Sequence, residues 1–228
     1  MPRKVQIADA PPQLIAEVIS NRCIGDEVYV IGLRCTQIQH WIPGDCIAVY
    51  KEDASGVSRP YSLSGDARTE RLELWVRRFT AGVVSDELTR KRVGDTLKIS
   101  PPFGWFRPAE PKESDQLYFA TGTGISPFLA AIRSGMAAPR KIYWGLREPL
   151  VETDFPANVA IEYCLSRRGP APRRVTDVLD QVEYHDETHI YACGLDQMIE
   201  TVLGYFADKG IPAQRLHREC FFTAKVDA

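Results

Sequence analysis

The sequence lacks any long apolar run. No stretch approaches the ~20 consecutive apolar residues that a membrane helix requires, and residues 1–13, MPRKVQIADAPPQ, contain no apolar core of a signal peptide. A strong excess of charge is missing as well. The net charge of -2 and the pI of about 6.1 argue against nucleic acid as the main partner. We therefore expect a cytoplasmic, monomeric protein that binds neither membranes nor nucleic acid.

Closely spaced metal ligands are also missing. The six cysteines form no C-x-x-C pair and no C-x4-C-x2-C run, so the sequence predicts neither a zinc site nor a cysteine-bound iron–sulfur cluster. The four histidines are dispersed too. His185 and His189 have a spacing that suits one helix face, but the polar segment around them indicates a solvated turn before a strand.

The chain does contain enough apolar residues to form the cores of two domains. The chain has 228 residues and 44% hydrophobic content, which allows two domains of roughly 100 residues each. Residues 14–107 contain short apolar segments separated by the turn signals PGD, SGD and VGD, which predicts an antiparallel β-barrel or sandwich with one short helix at residues 82–91. Alternation in RLELWVRR predicts two faces: Leu72, Leu74 and Val76 on one, and Arg71, Glu73, Trp75 and Arg77 on the other.

The second half follows another pattern. Across residues 115–219 apolar strands alternate with helices, which predicts a parallel sheet with right-handed crossovers. The two patterns meet in the proline- and charge-rich segment FRPAEPKESD. We therefore expect a β-barrel domain at residues 1–109 and an α/β nucleotide-binding domain at residues 110–228.

Glycines separate the first strand and helix of the second half. In YFATGTGISPFLAA, Gly122 and Gly124 permit close approach of a ligand, and the free N–H groups of the following helix can bind a phosphate. A tight strand–helix turn alone would also explain the pattern. A similar junction follows in YACGLDQM, where Cys193 and Gly194 can lie against a nicotinamide ring or can simply be a buried cysteine and a turn glycine.

Arginines cluster at another strand end. In CLSRRGPAPRRVTD, Ser166 and Arg167 follow a strand of the parallel sheet, at the edge where ligands bind, with Arg168, Arg173 and Arg174 close by. Such a run is often a solvated loop. Beside a dinucleotide it suits a 2′-phosphate, because guanidinium groups match phosphate geometry. The sequence therefore favours NADP over NAD.

The segment SRPYSLSG lies in the first half. On an extended strand Arg59 and Tyr61 point to one face and Ser62 to the other. Taken alone, the segment RPYS at residues 59–62 indicates a strand with an exposed arginine.

These motifs, in this order, resemble the ferredoxin–NADP(+) reductase family over about residues 14–222. The arginine–x–tyrosine–serine pattern is RPYS at 59–62, and the glycine–x–x–serine pattern is GVVS at 82–85. PPFGWF at 101–106 is similar to the loop that closes the flavin domain, and GTGISP and YACG match the pyridine-nucleotide segments. The resemblance implies an FAD-binding barrel and an NADP-binding domain with the active site between them.

The resemblance also implies individual roles. Tyr61 would stack on the isoalloxazine ring and Ser62 would offer its hydroxyl to the flavin N5, and Glu219 is similar in position to a family carboxylate near the nicotinamide. The expected catalytic residues are Tyr61, Ser62, Cys193 and Glu219. The expected cofactor-binding residues are Arg59, Pro60, Tyr61, Ser62, Gly82, Val83, Val84, Ser85, Thr121, Gly122, Thr123, Gly124, Ser166, Arg167, Arg174, Cys193, Gly194 and Phe222. Phe221 is the alternative to Phe222 for covering the flavin, and Leu195 replaces a frequent family proline.

The implied activity is hydride transfer from NADPH, or NADH, to bound FAD, followed by release of single electrons. Because the chain carries no iron–sulfur signature of its own, ferredoxin, flavodoxin or another small carrier is the expected acceptor. Surface arginines can attract such acidic partners or simply be solvated; they are Arg77, Arg78, Arg90 and Arg92. A free-flavin reductase and a non-catalytic flavin-binding electron-transfer subunit are the alternatives.

Overall fold

The fold is seen in a computed structural model that describes residues 13–53, 56–112, 114–151, 155, 159–168 and 172–222, without the side chains of 221 and 222. It has two sheets, one antiparallel and one parallel, which confirms the predicted fold class. None of the helices in this part of the chain is long and apolar enough to cross a membrane.

The first sheet is antiparallel, with strand order β4-β3-β6-β1-β2-β5. Its strands are β1 Leu14–Gly25, β2 Val28–Arg34, β3 Cys46–Tyr50, β4 Ser58–Ser62, β5 Arg71–Arg77 and β6 Thr96–Ile99. A bridge between Leu63 and Leu74 joins the two edges and closes the sheet into a barrel. The short helix α1, Ser85–Arg90, lies between β5 and β6.

The second sheet is parallel, with strand order β11-β10-β7-β8-β9. Its strands are β7 Gln116–Thr121, β8 Lys141–Leu146, β9 Ile161–Leu165, β10 His189–Leu195 and β11 Leu216–Phe222. Two α-helices accompany them, α2 Ser126–Arg133 and α3 Asp196–Asp208. The predicted helix in RVTDVLDQV is a 3₁₀ helix, Val175–Gln181, and another 3₁₀ turn, Gly122–Ile125, leads into α2.

Trp75 shows how the domains meet. Leu72, Leu74 and Val76 are buried in the barrel core as alternation predicts. Trp75 is on the opposite face, yet only 5% of its surface is exposed, because its ring packs at 5.9 Å from that of Trp144 in the second domain. The outer face of β5 is therefore an apolar domain contact.

Polar contacts reinforce this junction. Arg133 at the end of α2 donates to Glu73 Oε1 at 2.6 Å and to the Ser64 carbonyl at 3.0 Å, both in the first domain. On another side, the Val151 N–H donates to the Ile24 carbonyl at 2.7 Å. These contacts fix the two sheets against each other. The predicted domain boundary at residues 109–110 remains a proposal; it lies in the segment between the end of β6 and the start of β7.

Candidate functional site

A cleft opens at the carboxyl ends of β7, β8, β9 and β10, the edge at which parallel sheets bind ligands. Its volume is about 640 Å³. The lining residues from the second domain include Thr121, Gly122, Thr123, Arg147, Ser166, Arg174, Gly194, Gln197 and Thr201. Two residues of the first domain, Arg77 and Phe79, line it as well. The cleft therefore lies against both domains.

Glycines shape the floor of this cleft. Gly194 has φ +134°, and a Cβ there would overlap the side chain of Thr121. The Thr121 hydroxyl oxygen in turn accepts the Leu195 N–H at 2.9 Å, which ties the end of β10 to the end of β7. At Gly124 a Cβ would overlap the Cys193 carbonyl, whereas Gly122, with φ +54°, borders open space. The predicted glycine at 122 thus borders the cleft, and the one at 124 permits close packing against β10.

The four clustered arginines take different positions in the folded chain, and only Arg174 lines the cleft. Arg174 lines the cleft beside Ser166, as expected of groups that bind a 2′-phosphate. Arg147, which follows β8, lines it too and was not singled out in the sequence. Its position after an apolar strand of the parallel sheet was the available signal. Arg167 is exposed and is not among the lining residues, so its predicted role has no support from the shape of the cleft.

The other two arginines of the run have acidic partners. Arg173 donates to Glu162 Oε1 at 2.6 Å, and Arg168 lies 3.5 Å from Glu148. These two pairs stabilise the ends of β8 and β9 rather than facing the cleft.

A buried polar cluster connects the two sheets next to the cleft. Ser62 at the end of β4 is 3% exposed and donates to Glu219 Oε2 at 3.4 Å. Glu219 is in β11, the edge strand of the second sheet, where it pairs with Cys193. Cys46 lies opposite Ser62 in β3, and its thiol is 3.3 Å from the Ser62 hydroxyl and 3.4 Å from Glu219 Oε1. The structure thus brings together Ser62 and Glu219, and it adds a cysteine that sequence reasoning missed.

The Glu219 carboxyl is strongly perturbed. Burial raises its pKa from 4.5 to about 7, and this effect outweighs the opposing influence of the hydrogen bonds from Cys46 and Ser62 and of the Arg107 charge. Arg107 is held by an ion pair with Asp45 at 2.6 Å. A carboxyl with a pKa near 7 is present in both its protonated and its ionised form at neutral pH, so it can donate or accept a proton there.

Cys193 is fully buried, and burial raises the pKa of its thiol. It does not line the cleft, although the next residue, Gly194, does. The protonated thiol therefore packs in the protein interior, and its contact with the nicotinamide ring remains a prediction.

The residues on β4 suit a flavin. Beyond the Leu63–Leu74 bridge, β4 is an edge strand. There Arg59 and Pro60 are exposed and Tyr61 is half-buried, with its ring against the barrel core. Burial also raises the pKa of Tyr61, which keeps its hydroxyl neutral. The exposed Arg59 guanidinium can bind a flavin phosphate, and the Tyr61 ring, supported by the barrel core, can stack on the flavin ring.

The glycine–x–x–serine segment forms the turn that leads into α1. Val84 and Ser85 are buried while Val83 is 46% exposed. A Cβ at Gly82 would overlap the Ser85 hydroxyl, which itself accepts the Phe79 N–H at 3.3 Å. Gly82 is therefore needed to form this turn. At the other end of the chain the backbone of Phe222 pairs with Leu195, but its side chain lies outside the described part of the structure.

Comparison with known proteins fits this geometry. Residues 16–107 match the protein-family model described as an oxidoreductase FAD-binding domain. A ferredoxin–NADP reductase of Sorangium cellulosum is 31% identical over 189 residues, which cover 72% of this chain and 78% of that protein. This chain belongs to the ferredoxin–NAD(P)+ reductase family. The resemblance in the sequence is thereby confirmed, together with the FAD-binding character of the first domain.

Two further proteins extend the similarity along the chain. A ferredoxin–NAD(P)+ reductase of Metapseudomonas resinovorans is 26% identical over 227 residues, or 91% of this chain and 68% of that protein. The solved ferredoxin–NADP+ reductase of Plasmodium falciparum has a TM-score of 0.79 at 17% identity and covers 92% of this chain and 96% of its own. The fold of the family thus extends over both domains.

The arginines considered as a docking surface are mostly neutralised. Arg77 donates to Asp26 at 2.7 Å, and Arg78 is 3.5 Å from Glu27. Arg90 pairs with Asp86 at 3.0 Å within α1. Three of the four arginines named in the sequence are therefore ion-paired, and Arg77 also lines the cleft, so these contacts do not favour a docking surface.

Proposed function

We propose that this chain takes electrons from NADPH through FAD and delivers them to a separate ferredoxin. The observation that carries the proposal is the contact between Ser62 of the flavin domain and Glu219 of the nucleotide domain. Glu219 pairs with Cys193, whose neighbour Gly194 lines the cleft. A nucleotide in the cleft and a flavin on β4 would therefore have their reacting rings within about one strand spacing of the same cluster.

The protein's part is to place the two rings and to keep water away. A flavin held there would supply the chemistry of the reaction, namely hydride acceptance followed by release of single electrons. Tyr61 would support one face of the flavin, and Arg59 would bind its phosphate. The Ser62 hydroxyl would donate to the flavin edge that faces the nicotinamide. Glu219, with its pKa near 7, would hold or release a proton beside that hydroxyl.

The cleft supports NADPH as the preferred donor. Its described lining contains Arg147, Arg174 and Ser166 but no carboxylate. An NAD site more often places an acidic side chain on the ribose hydroxyls. Two guanidinium groups and a hydroxyl instead fit the charge and geometry of a 2′-phosphate.

Ferredoxin is the proposed acceptor because both relatives described above are named ferredoxin reductases. The described residues include no group of three or more His, Cys, Asp or Glu side chains placed to hold a metal. In this proposal the iron–sulfur cluster of the ferredoxin accepts the electrons one at a time.

The proposal is tested by anaerobic titration of the flavin-loaded protein with NADPH and with NADH, followed by addition of a ferredoxin. We expect bleaching of the flavin by NADPH at lower concentration than by NADH, and reoxidation by ferredoxin. Ser62→Ala should slow the single-turnover bleaching while NADP+ binds as before, and Ser58→Ala on the same strand serves as the control. Flavin lost on gel filtration would favour the free-flavin reductase, and absence of bleaching would favour the non-catalytic subunit.

A further inference from the structure

Cys46 is in contact with both halves of the cluster. Its thiol lies 3.3 Å from the Ser62 hydroxyl and 3.4 Å from Glu219 Oε1, while only 7% of the residue is exposed. The contact with Glu219 spans 173 residues of sequence and joins the barrel to the nucleotide domain. Nothing in the mechanism above uses this thiol.

The backbone leaves this thiol little freedom. Cys46 pairs with Ser62 on one side, and on the other it exchanges two hydrogen bonds with Phe103, at 2.6 and 2.9 Å. The position of Cys46 is thus fixed by β4 and by the loop that closes the barrel. Burial and the nearby Glu219 also raise the pKa of the thiol, so it keeps its proton and acts as a hydrogen-bond donor.

We propose that Cys46 is a positioning residue whose thiol keeps the Ser62 hydroxyl and the Glu219 carboxyl apart and oriented across the domain junction. The role rests on the proposed function, in which Ser62 donates to the flavin.

The distances explain why a thiol suits this position. The Ser62–Glu219 oxygen separation of 3.4 Å exceeds the usual range of about 2.5–3.0 Å for a hydroxyl donor. The sulfur, which is larger than oxygen, contacts both groups and donates its proton to the carboxylate. The Ser62 hydroxyl is then only weakly engaged by Glu219 and is available to another acceptor. Without the thiol, the hydroxyl can rotate fully onto the carboxylate.

Three variants of the flavin-loaded protein test this role. Cys46→Ala removes the thiol, and Cys46→Ser keeps a donor of shorter reach. Cys35→Ala removes a thiol that is equally buried in the barrel core and controls for loss of packing. Each is measured for anaerobic reduction by NADPH across a pH series, for NADP+ binding, and for the infrared S–H stretching band of Cys46, assigned by its loss in Cys46→Ser.

We expect Cys46→Ala to slow flavin reduction by about three- to tenfold, the effect of one misplaced hydrogen bond, without weakening NADP+ binding. The pH profile should move to higher pH, because an ionised carboxylate that loses a donor holds its proton more tightly. The other groups around Glu219 are Ser62, Cys193 and the Arg107 charge, and all three are retained. Cys46→Ser should recover most of the rate, and Cys35→Ala should change neither rate nor profile.

Equal rates and pH profiles for Cys46→Ala and Cys35→Ala would overturn the proposal. Should Cys46→Ala fail to retain flavin, the infrared band decides, since it must shift in Glu219→Gln if the thiol donates to that carboxyl. An unshifted band refutes the contact. If NADPH does not bleach the parent protein at all, the proposed function fails, whereas the band still tests the contact by itself.

Discussion

The most direct consequence of the buried cluster is that Glu219 should make stability depend on pH. Burial raises its pKa from 4.5 to about 7, because β11 packs this half-buried side chain against Cys46 in β3 and Ser62 in β4. A carboxyl that binds its proton more tightly in the folded state stabilises the fold at low pH. That contribution is lost as the pH rises from 4.5 to 7.

The size of the effect follows from the two pKa values. Each unit corresponds to about 1.4 kcal/mol. The raised pKa therefore costs about 3 kcal/mol of folding free energy at pH 8, where the carboxyl is ionised, and about 1 kcal/mol at pH 5, where folding must protonate a carboxyl that is partly ionised in the unfolded chain. Glu219→Gln carries no charge and avoids this cost. We therefore expect the variant to gain about 2 kcal/mol more stability over the parent at pH 8 than at pH 5.

Urea denaturation of the two proteins at both pH values measures this difference. Comparing the two pH values for one substitution cancels any constant effect of the amide on hydrogen bonding. Glu200→Gln removes an exposed carboxylate from α3 and is the matched control. A Glu219→Gln protein that shows the same stability difference from the parent at pH 5 and pH 8 would refute the argument, because it would mean that the carboxyl is solvated.

Two further substitutions test the cleft and the domain junction. Arg174→Ala should raise the KM for NADPH by about tenfold or more through loss of a charge-assisted hydrogen bond and leave the KM for NADH almost unaffected. Arg167→Ala is the control and should have the smaller effect, because Arg167 lies outside the cleft lining. Initial-rate kinetics with both nucleotides measure the difference, and equal behaviour of the two variants would contradict the assignment. Arg133→Ala should destabilise the protein by about 2 kcal/mol or more in urea, because the largely buried Glu73 carboxylate loses its charged partner and keeps only the neutral donors Ser64 and Trp75. Arg90→Ala, which breaks an exposed pair, should cost less than about 0.5 kcal/mol. Equal losses would show that the junction pair is solvated.

Local patterns were sufficient for the elements and for their order. The alternation of Leu72, Leu74 and Val76 identified β5, and the change to alternating strands and helices identified the parallel sheet. They could not predict the partner of an outward side chain. Trp75 was expected among polar neighbours, but it is buried because the second domain covers that face. Contacts between domains have no period in the sequence.

The site was predictable where motifs mark it and not where register creates it. Ser62 and Glu219 were identified by resemblance, and Ser166 and Arg174 by their place at a strand end. No motif marks Cys46 in the sequence, because its role depends on lying opposite Ser62 in the sheet. Arg77 and Arg78 looked available because Asp26 and Glu27 become adjacent to them only in the folded chain. The pair of Arg90 with Asp86, in contrast, has the i,i+4 spacing of the predicted helix and was accessible from the sequence.

The cluster and the domain junction are parts of one arrangement. Ser62 and Cys46 belong to the barrel, and Glu219 belongs to the last strand of the other sheet, so their contacts exist only while the sheets keep their relative position. That position is set by the Trp75–Trp144 contact and by the Arg133 bonds to Glu73. The raised pKa of Glu219 is therefore tied to the junction, since the barrel residues Cys46 and Ser62 lie directly against its carboxyl.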